Sequence, residues 1–390
     1  MDEINLTEQI TSAYRRDLAA GRTVIHCREV PPFYDAITPQ WLTEILCRNV
    51  QGAAVTRFSF DNVYNGTTNR RRLLLEYNTA AESDGLSPSV FCKATFDLPN
   101  RILLSSSAAF SEVTFFNRLR GELPIDCPSA LFAAYDPESW ASIIVMRDLT
   151  GDVEFCSEET VVGHREVRSQ LRLLATMHAR FYESPRFHAD LADIIPFHRR
   201  FHDLNKLHGI GACSRRGLHA AEEVVPPALF AMGDRVWEAT ERAVAWQEGQ
   251  PETFTHGDVH LKNWYRRRDG AMGIGDWQAS GRGHWARDLA YLLGTALRPD
   301  TRRSNERAYL TVYLDLLAEA GGPRLEFDDA FVMYRAQMLT ALAWWTMTLI
   351  PSDAMPKMQP VCTTRLFVHR LSTACDDLDS VGAVNSLCGV

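Results

Sequence analysis

The chain lacks most of the features that would place it outside the ordinary globular class. It has no apolar run long enough to cross a bilayer; the most apolar stretch, Met338 to Ile350, is too short. Its nine cysteines are scattered, odd in number and contain no Cys-x-x-Cys pair, so reduced thiols are the expected state. Positive charge is in deficit, 41 Lys and Arg against 49 Asp and Glu for a net charge of −8, which argues against a general nucleic-acid binder. The short basic runs Arg70-Arg71-Arg72 and Arg266-Arg267-Arg268 read as solvated strand ends. The opening Met-Asp-Glu-Ile-Asn is acidic and without an apolar run, so no signal peptide and a cytoplasmic location are expected. There is no internal repeat and no long linker. What remains is 46% hydrophobic and 23% charged over 390 residues, a composition and length that suit one large or two joined lobes.

Residues 1–50 read as helical. Leu6, Ile10 and Tyr14 fall at helical spacing before Gly21, and Thr38-Pro39 opens a second helix through Trp41, Ile45 and Leu46. From about residue 54 the period becomes that of strands. Val55, Phe58 and Phe60, then Leu73-Leu74-Leu75 and Tyr77, predict a hairpin with the polar tip Asn65-Gly66-Thr67-Thr68-Asn69. Ser89 to Ala94 is a short apolar strand broken by Lys93. A lysine there either faces solvent at a sheet edge or needs an acid, because an unpaired charge is costly to bury. A helix from about Ala108 to Leu119 offers Glu112; Glu76 and Glu82 are worse placed. Ser142 to Met146 reads as a buried strand, followed by Arg147-Asp148-Leu149. Later helices are expected over 166–182 and near 304–320, 328–350 and 359–378, with His178 a core histidine satisfied by a backbone group.

The densest chemistry lies in Thr255-His256-Gly257-Asp258-Val259-His260-Leu261-Lys262-Asn263, followed by Gly275-Asp276-Trp277-Gln278. Asp258 and Asn263 have the spacing of a loop in which an Asp takes a hydroxyl proton and an Asn holds magnesium. Asp276 supplies a second carboxylate. Asp269-Gly270 signals a two-residue hairpin turn, and counting outward from it pairs Asn263 with Asp276, with Cβ atoms roughly 5 Å apart. That predicts a cradle for one divalent cation. A competing reading takes His256, Asp258, His260 and Asp276 as ligands of a metal-dependent hydrolase, but it leaves Asn263 unexplained.

The pattern His-Gly-Asp-x-His-x-x-Asn, followed by Asp-Trp-Gln, resembles the aminoglycoside phosphotransferase and choline kinase-like superfamily. These are small-molecule kinases with the protein kinase-like fold. The resemblance is sharp over residues 255–294 and diffuse but consistent from about residue 55. It implies an α+β, two-lobed fold: N-terminal helices plus a small antiparallel-sheet lobe over 1–147, and a larger, mostly helical catalytic and acceptor-binding lobe over 148–390. It implies Asp258 as the base, Asn263 and Asp276 as Mg²⁺ ligands, and Lys93, fixed by Glu112, on the phosphates of ATP. It also implies that Asn65, Gly66, Thr67 and Thr68 lie over those phosphates and that Met146 and Asp148 lie at the adenine edge. His256, His260 and Asp288 take supporting roles.

The implied partners are a nucleotide and a hydroxyl-bearing small molecule. A protein acceptor does not fit, since there is no Ala-Pro-Glu segment and no long activation segment between Asp276 and Asp288. The late helix from Ala336, with Met338, Leu342, Trp344, Trp345 and Met347, predicts an apolar wall and an acceptor with an apolar portion. The alternatives are an aminoglycoside kinase using Asp376, Asp377 and Asp379, and a catalytically inactive kinase-like binding protein.

Overall fold

Period-two alternation of apolar residues builds a sheet with two different faces. The computed structural model describes residues 3–83, 85–105, 108–353 and 355–389, without the side chains of residues 3–5, Asn62, Asn65 and Ser83. The chain divides into two units, Met1–Gly121 with Pro128–Thr150, and Glu122–Cys127 with Gly151–Val390.

The first unit runs α1 (Glu3–Ala20), α2 (Pro39–Leu46), β1 (Val55–Asn65), β2 (Asn69–Tyr77), α3 (Thr79–Ser83), β3 (Ser89–Ala94), α4 (Leu98–Leu104), α5 (Ala108–Thr114), β4 (Ala130–Tyr135) and β5 (Ser142–Arg147). Its strands form one antiparallel sheet in the order β1-β2-β3-β5-β4. Leu73, Leu75, Val90, Cys92, Ile143 and Val145 alternate onto one face and pack with Trp41, Leu42 and Ile45 of α2. As Thr38-Pro39 predicts, α2 starts on a cap, with Thr38 Oγ1 accepting from Trp41 N at 3.1 Å.

The other face carries Phe91, Ile144 and Met146 against Val113 of α5. Lys93 is two residues beyond Phe91 and so shares that face. It is opposite Ile144 on the neighbouring strand, which removes the edge-strand reading. Its Nζ lies 2.7 Å from Glu112 Oε2, with both side chains about 5% exposed. Beyond α5 the helix continues as a π turn, Phe115–Leu119.

Another buried cation ties down the N-terminus. Fully buried Arg101 donates to Asp17 Oδ2 (2.6 Å), Ser139 O (3.0 Å) and Pro32 O (2.9 Å). Its guanidinium sits on the rings of Tyr14 and Phe33, so α1 is held to α4 by charge as well as packing.

The second unit adds β6 (Val153–Phe155), α6 (His164–Phe181), α7 (Phe197–His208), α8 (Ile210–Ala220), α9 (Pro227–Phe230), α10 (Asp234–Trp246), β7 (Thr253–Thr255), β8 (Trp264–Arg267), β9 (Met272–Ile274), β10 (Gly281–Gly283), α11 (Trp285–Ala296), α12 (Pro299–Glu319), α13 (Phe327–Leu349), α14 (Val361–Asp377) and α15 (Ser380–Cys388). The antiparallel sheet in the first unit and the mostly helical second unit give the expected α+β, protein kinase-like fold class. The centre of the second unit is α13, which packs against α8, α10, α11, α14 and α15. A helix apolar on nearly every side can only be interior. Among the described residues no helix is long and apolar enough to cross a membrane.

Removing one member of a buried ion pair strands the other, at a cost of about 3–5 kcal/mol, whereas replacing both with apolar groups is far milder. Urea unfolding should therefore show Glu112→Gln strongly destabilised and the double variant Lys93→Met, Glu112→Leu closer to the native protein. Equal losses in both would mean that the pair's charge does not govern stability here.

Candidate active site

Strand β7 ends at Thr255, and the chain turns at once into an irregular segment, residues 256–260, whose backbone donors find a partner outside it. Asp288, near the start of α11, accepts His256 N–H at Oδ2 (2.7 Å) and Gly257 N–H at Oδ1 (2.9 Å). Asp288 therefore braces the loop as expected, while the cap of its own helix is His284. The Asp288 carboxylate is fully buried. Burial resists its charge, but His178, Arg287 and His256 hold it below the usual carboxylate range. His178 bonds Asp288 through Nε2 (3.3 Å) and the Tyr313 hydroxyl through Nδ1 (2.7 Å). Its partners are thus side chains, not the backbone group expected from the sequence.

Gly257 has φ +79°, and a Cβ there would lie 2.3 Å from Ala279 O. Both facts exclude other residues from this position. Burial pushes His256 below the usual histidine range. The neutral ring receives Asp258 N–H at Nδ1 (3.2 Å) and donates from Nε2 to Gly275 O (3.0 Å), joining the loop to the segment that carries Asp276.

Asp258 is the one acid of this loop with partial access to solvent, its side chain 24% exposed. Asn263 Nδ2 reaches back to Asp258 O (2.8 Å) and Oδ2 (3.2 Å), which turns the Asn263 carbonyl oxygen away. The Tyr291 hydroxyl donates to Asp258 Oδ1 at 3.0 Å, and His260 Nε2 lies 3.6 Å from Oδ2. Burial opposes ionisation of Asp258, and Asp276 pushes the same way, but His260 and His256 hold the carboxyl below its usual range.

The hairpin between Asn263 and Asp276 differs from the expected register by one residue. Trp264 faces Ile274, Tyr265 faces Gly273 and Arg266 faces Met272, and Gly275 N–H donates to Asn263 O at 2.8 Å. The turn is a three-residue loop, Arg268-Asp269-Gly270, closed by Arg267 N–H to Ala271 O with Gly270 at φ +82°. Gly275, not Asp276, therefore stands opposite Asn263. Such a slip would ordinarily turn a side chain to the other face. Here Asp276 leaves the ladder in the left-handed region, φ 63° and ψ 67°. Two helices hold the surrounding backbone: Arg287 of α11 donates to Gly257 O (2.6 Å), and Arg200 of α7 donates to Ala279 O and Ser280 O.

Spacing along the chain did not reveal Tyr291, Arg287 or Arg200. The available signal was Arg287-Asp288-x-x-Tyr291, three polar groups on an otherwise apolar helix. Among the described residues no group of three or more His, Cys, Asp or Glu is arranged to hold a metal, so the hydrolase reading loses its ligand set.

In the first unit, Lys93 and Glu112 form the pair described above. At the hairpin tip, Gly66 N–H donates to Thr68 O (3.0 Å) and Gly66 O accepts from Asn100 (2.8 Å). Thr68 is buried and accepts from Arg70 Nε. Thr67 is half-buried, and the Asn65 side chain lies outside the described ones. Met146 is a buried member of β5. Asp148 accepts from Arg72 Nε (2.5 Å), Ser89 Oγ (2.6 Å) and Thr150 N–H (2.9 Å). Burial works against its charge, but these bonds from Ser89, Thr150 and Arg72 hold it down at about 2.

The expected apolar wall is corrected. Met338, Leu342 and Met347 are core residues of α13, and a Cβ on Gly294 would lie 3.1 Å from Met338 Sδ. Trp344 packs on Phe201. Trp345 is 3% exposed and approaches the loop through ring contact with His260 at 5.2 Å. In the C-terminal acidic cluster, Asp377 pairs with Arg302 and Arg303, and Asp379 caps α15.

The chain matches the Phosphotransferase enzyme family over residues 55–326. No curated protein matches its sequence. Among solved structures it is similar to a provisionally named aminoglycoside phosphotransferase from Ralstonia eutropha JMP134, with 12% identity, 87% of this chain and 97% of that one covered, and a TM-score of 0.51. It is also similar to an ethanolamine kinase of Plasmodium vivax (11% identity, 82% and 81% covered, TM-score 0.46) and to a choline kinase of Cryptosporidium parvum Iowa II (12%, 84% and 92%, TM-score 0.47).

Because Gly257 combines a left-handed backbone with a close carbonyl, Gly257→Ala should destabilise the second unit by more than the ~1–3 kcal/mol of backbone strain alone. Thermal unfolding and soluble yield would show it. A variant as stable as the native chain would mean that the loop has another accessible path.

Proposed function

The chain belongs to the Phosphotransferase enzyme family, and from that premise we propose that it moves the γ-phosphoryl group of ATP to a hydroxyl of a small molecule. The observation that carries this reading is the partly exposed Asp258 carboxylate, with the Asn263 amide turned toward one of its oxygens and the Tyr291 hydroxyl donating to the other. Asp258 takes the acceptor's hydroxyl proton as that oxygen closes on the γ-phosphorus and the bond to the nucleoside diphosphate breaks.

The residues present fit magnesium. The Asn263 nitrogen is committed to Asp258, which leaves Oδ1 to face a cation, and Asp276 adds a carboxylate; both are hard oxygen donors. When bound, magnesium supplies a Lewis acid that draws charge from the phosphate oxygens. Lys93, fixed by Glu112, is the cation for the nucleotide phosphates, and the backbone of Gly66, Thr67 and Thr68 covers them. With the Asp148 carboxylate engaged by Arg72, Ser89 and Thr150, the segment 146–148 meets adenine through its backbone.

For the acceptor we infer a body with an apolar portion and not a polycation. Asp377 and Asp379 are held by arginines and a helix cap, so the C-terminal acids are engaged within the fold and not set out as a cluster for several ammonium groups. An ATP-consumption screen over choline, ethanolamine, kanamycin, a macrolide and a series of hydrophobic alcohols tests this. Turnover is expected with the hydrophobic alcohols; efficient phosphorylation of kanamycin would overturn the acceptor reading.

Asp258→Asn should lower turnover by about 10²–10⁴-fold while nucleotide binding survives; near-native turnover would remove it from the base role. In calorimetry, Asp276→Ala should weaken binding of magnesium-loaded ATP far more than of metal-free ATP. Equal losses in the two titrations would make Asp276 a residue of the fold only.

A further inference from the structure

Helix α11 sends three polar side chains toward one loop. Asp288 receives its backbone N–H groups and Arg287 donates to its Gly257 carbonyl. Tyr291 lies four residues after Arg287 and three after Asp288, which brings all three onto adjoining positions of the helix surface. The first two fix the loop's backbone. Tyr291 alone acts on the side chain of Asp258.

We propose that Tyr291 is a positioning residue that holds Oδ1 of Asp258 and thereby reserves Oδ2 for the acceptor hydroxyl. This deepens the reading of Asp258 as the base and rests on it. A carboxylate on a single-bonded side chain rotates, and only one of its oxygens can face a reacting hydroxyl in a productive geometry. The loop itself supplies weak control of that rotation: Asn263 Nδ2 approaches Oδ2 at 3.2 Å while also serving the Asp258 carbonyl, and His260 stands off at 3.6 Å. The bond from Tyr291 is shorter, 3.0 Å, and its donor belongs to a helix whose every residue is buried.

The phenol is itself held from behind, with the Arg287 guanidinium 5.7 Å from its ring centre. Burial and the Asp258 charge keep the Tyr291 hydroxyl well above its usual range, so it stays protonated and donates to Asp258. In the reaction the acceptor's proton goes to Oδ2, the new bond is from the acceptor oxygen to phosphorus, and the nucleoside diphosphate leaves. Tyr291 exchanges no proton.

The test uses Mg·ATP with water as the acceptor, following ADP release by the 390-residue chain, so that no organic acceptor need be known. Tyr291→Phe removes one oxygen and keeps the ring, so its thermal midpoint should fall by only a few degrees. Its kcat should drop about 10- to 100-fold with KM for ATP unchanged, a split that loosening of the fold would not produce. Placed on Asp258→Asn, the same change should cause no further loss, because there is no longer a base to orient. An unchanged kcat in Tyr291→Phe, a rise in KM matching the fall in kcat, or a full additional loss on the Asp258→Asn background would each overturn the proposal. Failure of the underlying reading looks different: Asp258→Asn would then release ADP at the native rate. A crystal structure of Tyr291→Phe adds a check independent of rate. The Asp258 carboxylate should leave its native rotamer, and one that stays in place would count against the proposal.

Discussion

The site rests on one buried carboxylate. Asp288 collects two backbone N–H groups from consecutive loop residues, a histidine from α6 and the field of a neighbouring arginine. A charge in that position is tolerated only because each of these partners is present. Without Asp288, the N–H groups of His256 and Gly257 would be left unpaired inside the protein, and the loop would have no reason to keep the left-handed turn that points Asp258 outward. The bond from His178 to Tyr313 extends the same dependence to α12. The setting of the partly exposed Asp258 carboxylate is thus referred back to three helices of the second unit.

Where one element's own periodicity decides the contact, the sequence was legible. Thr38 as a cap and the shared face of Phe91 and Lys93 follow from local spacing. The ion pair between Lys93 and Glu112 was one of two readings open to a lysine in an apolar strand, and the kinase-like order of lysine and helix glutamate pointed to it. Asp258 and Asn263 lie five residues apart in one loop, and their bond closes within it.

The register of the β8–β9 hairpin was not legible. Asp-Gly suits both a two-residue turn and the last two places of a three-residue loop; the two differ at Asp269, which a type I′ turn would need at positive φ and which is not among the left-handed residues. The backbone of Asp276 departs from the strand at that residue, in the left-handed region, which strand spacing does not announce. Tyr291 and Arg200 were hidden for another reason. Their partners lie 33 and 79 residues away, distances over which spacing carries no information. Helix α13 misled in the opposite way: aromatic richness suggested a binding surface, whereas residues apolar all round describe an interior.

The position of α13 has a consequence for what counts as the minimal protein. The stretch that carries the family's pattern closes at Glu326, one residue before this helix begins. It opens at Val55, beyond α1 and its Asp17 anchor. A fragment with those limits would hold every group assigned to phosphoryl transfer. It would lack the rod around which α8, α10 and α11 are assembled, and Arg101 would be left without its carboxylate. The groups proposed for phosphoryl transfer and the elements that support them therefore span different lengths of this chain.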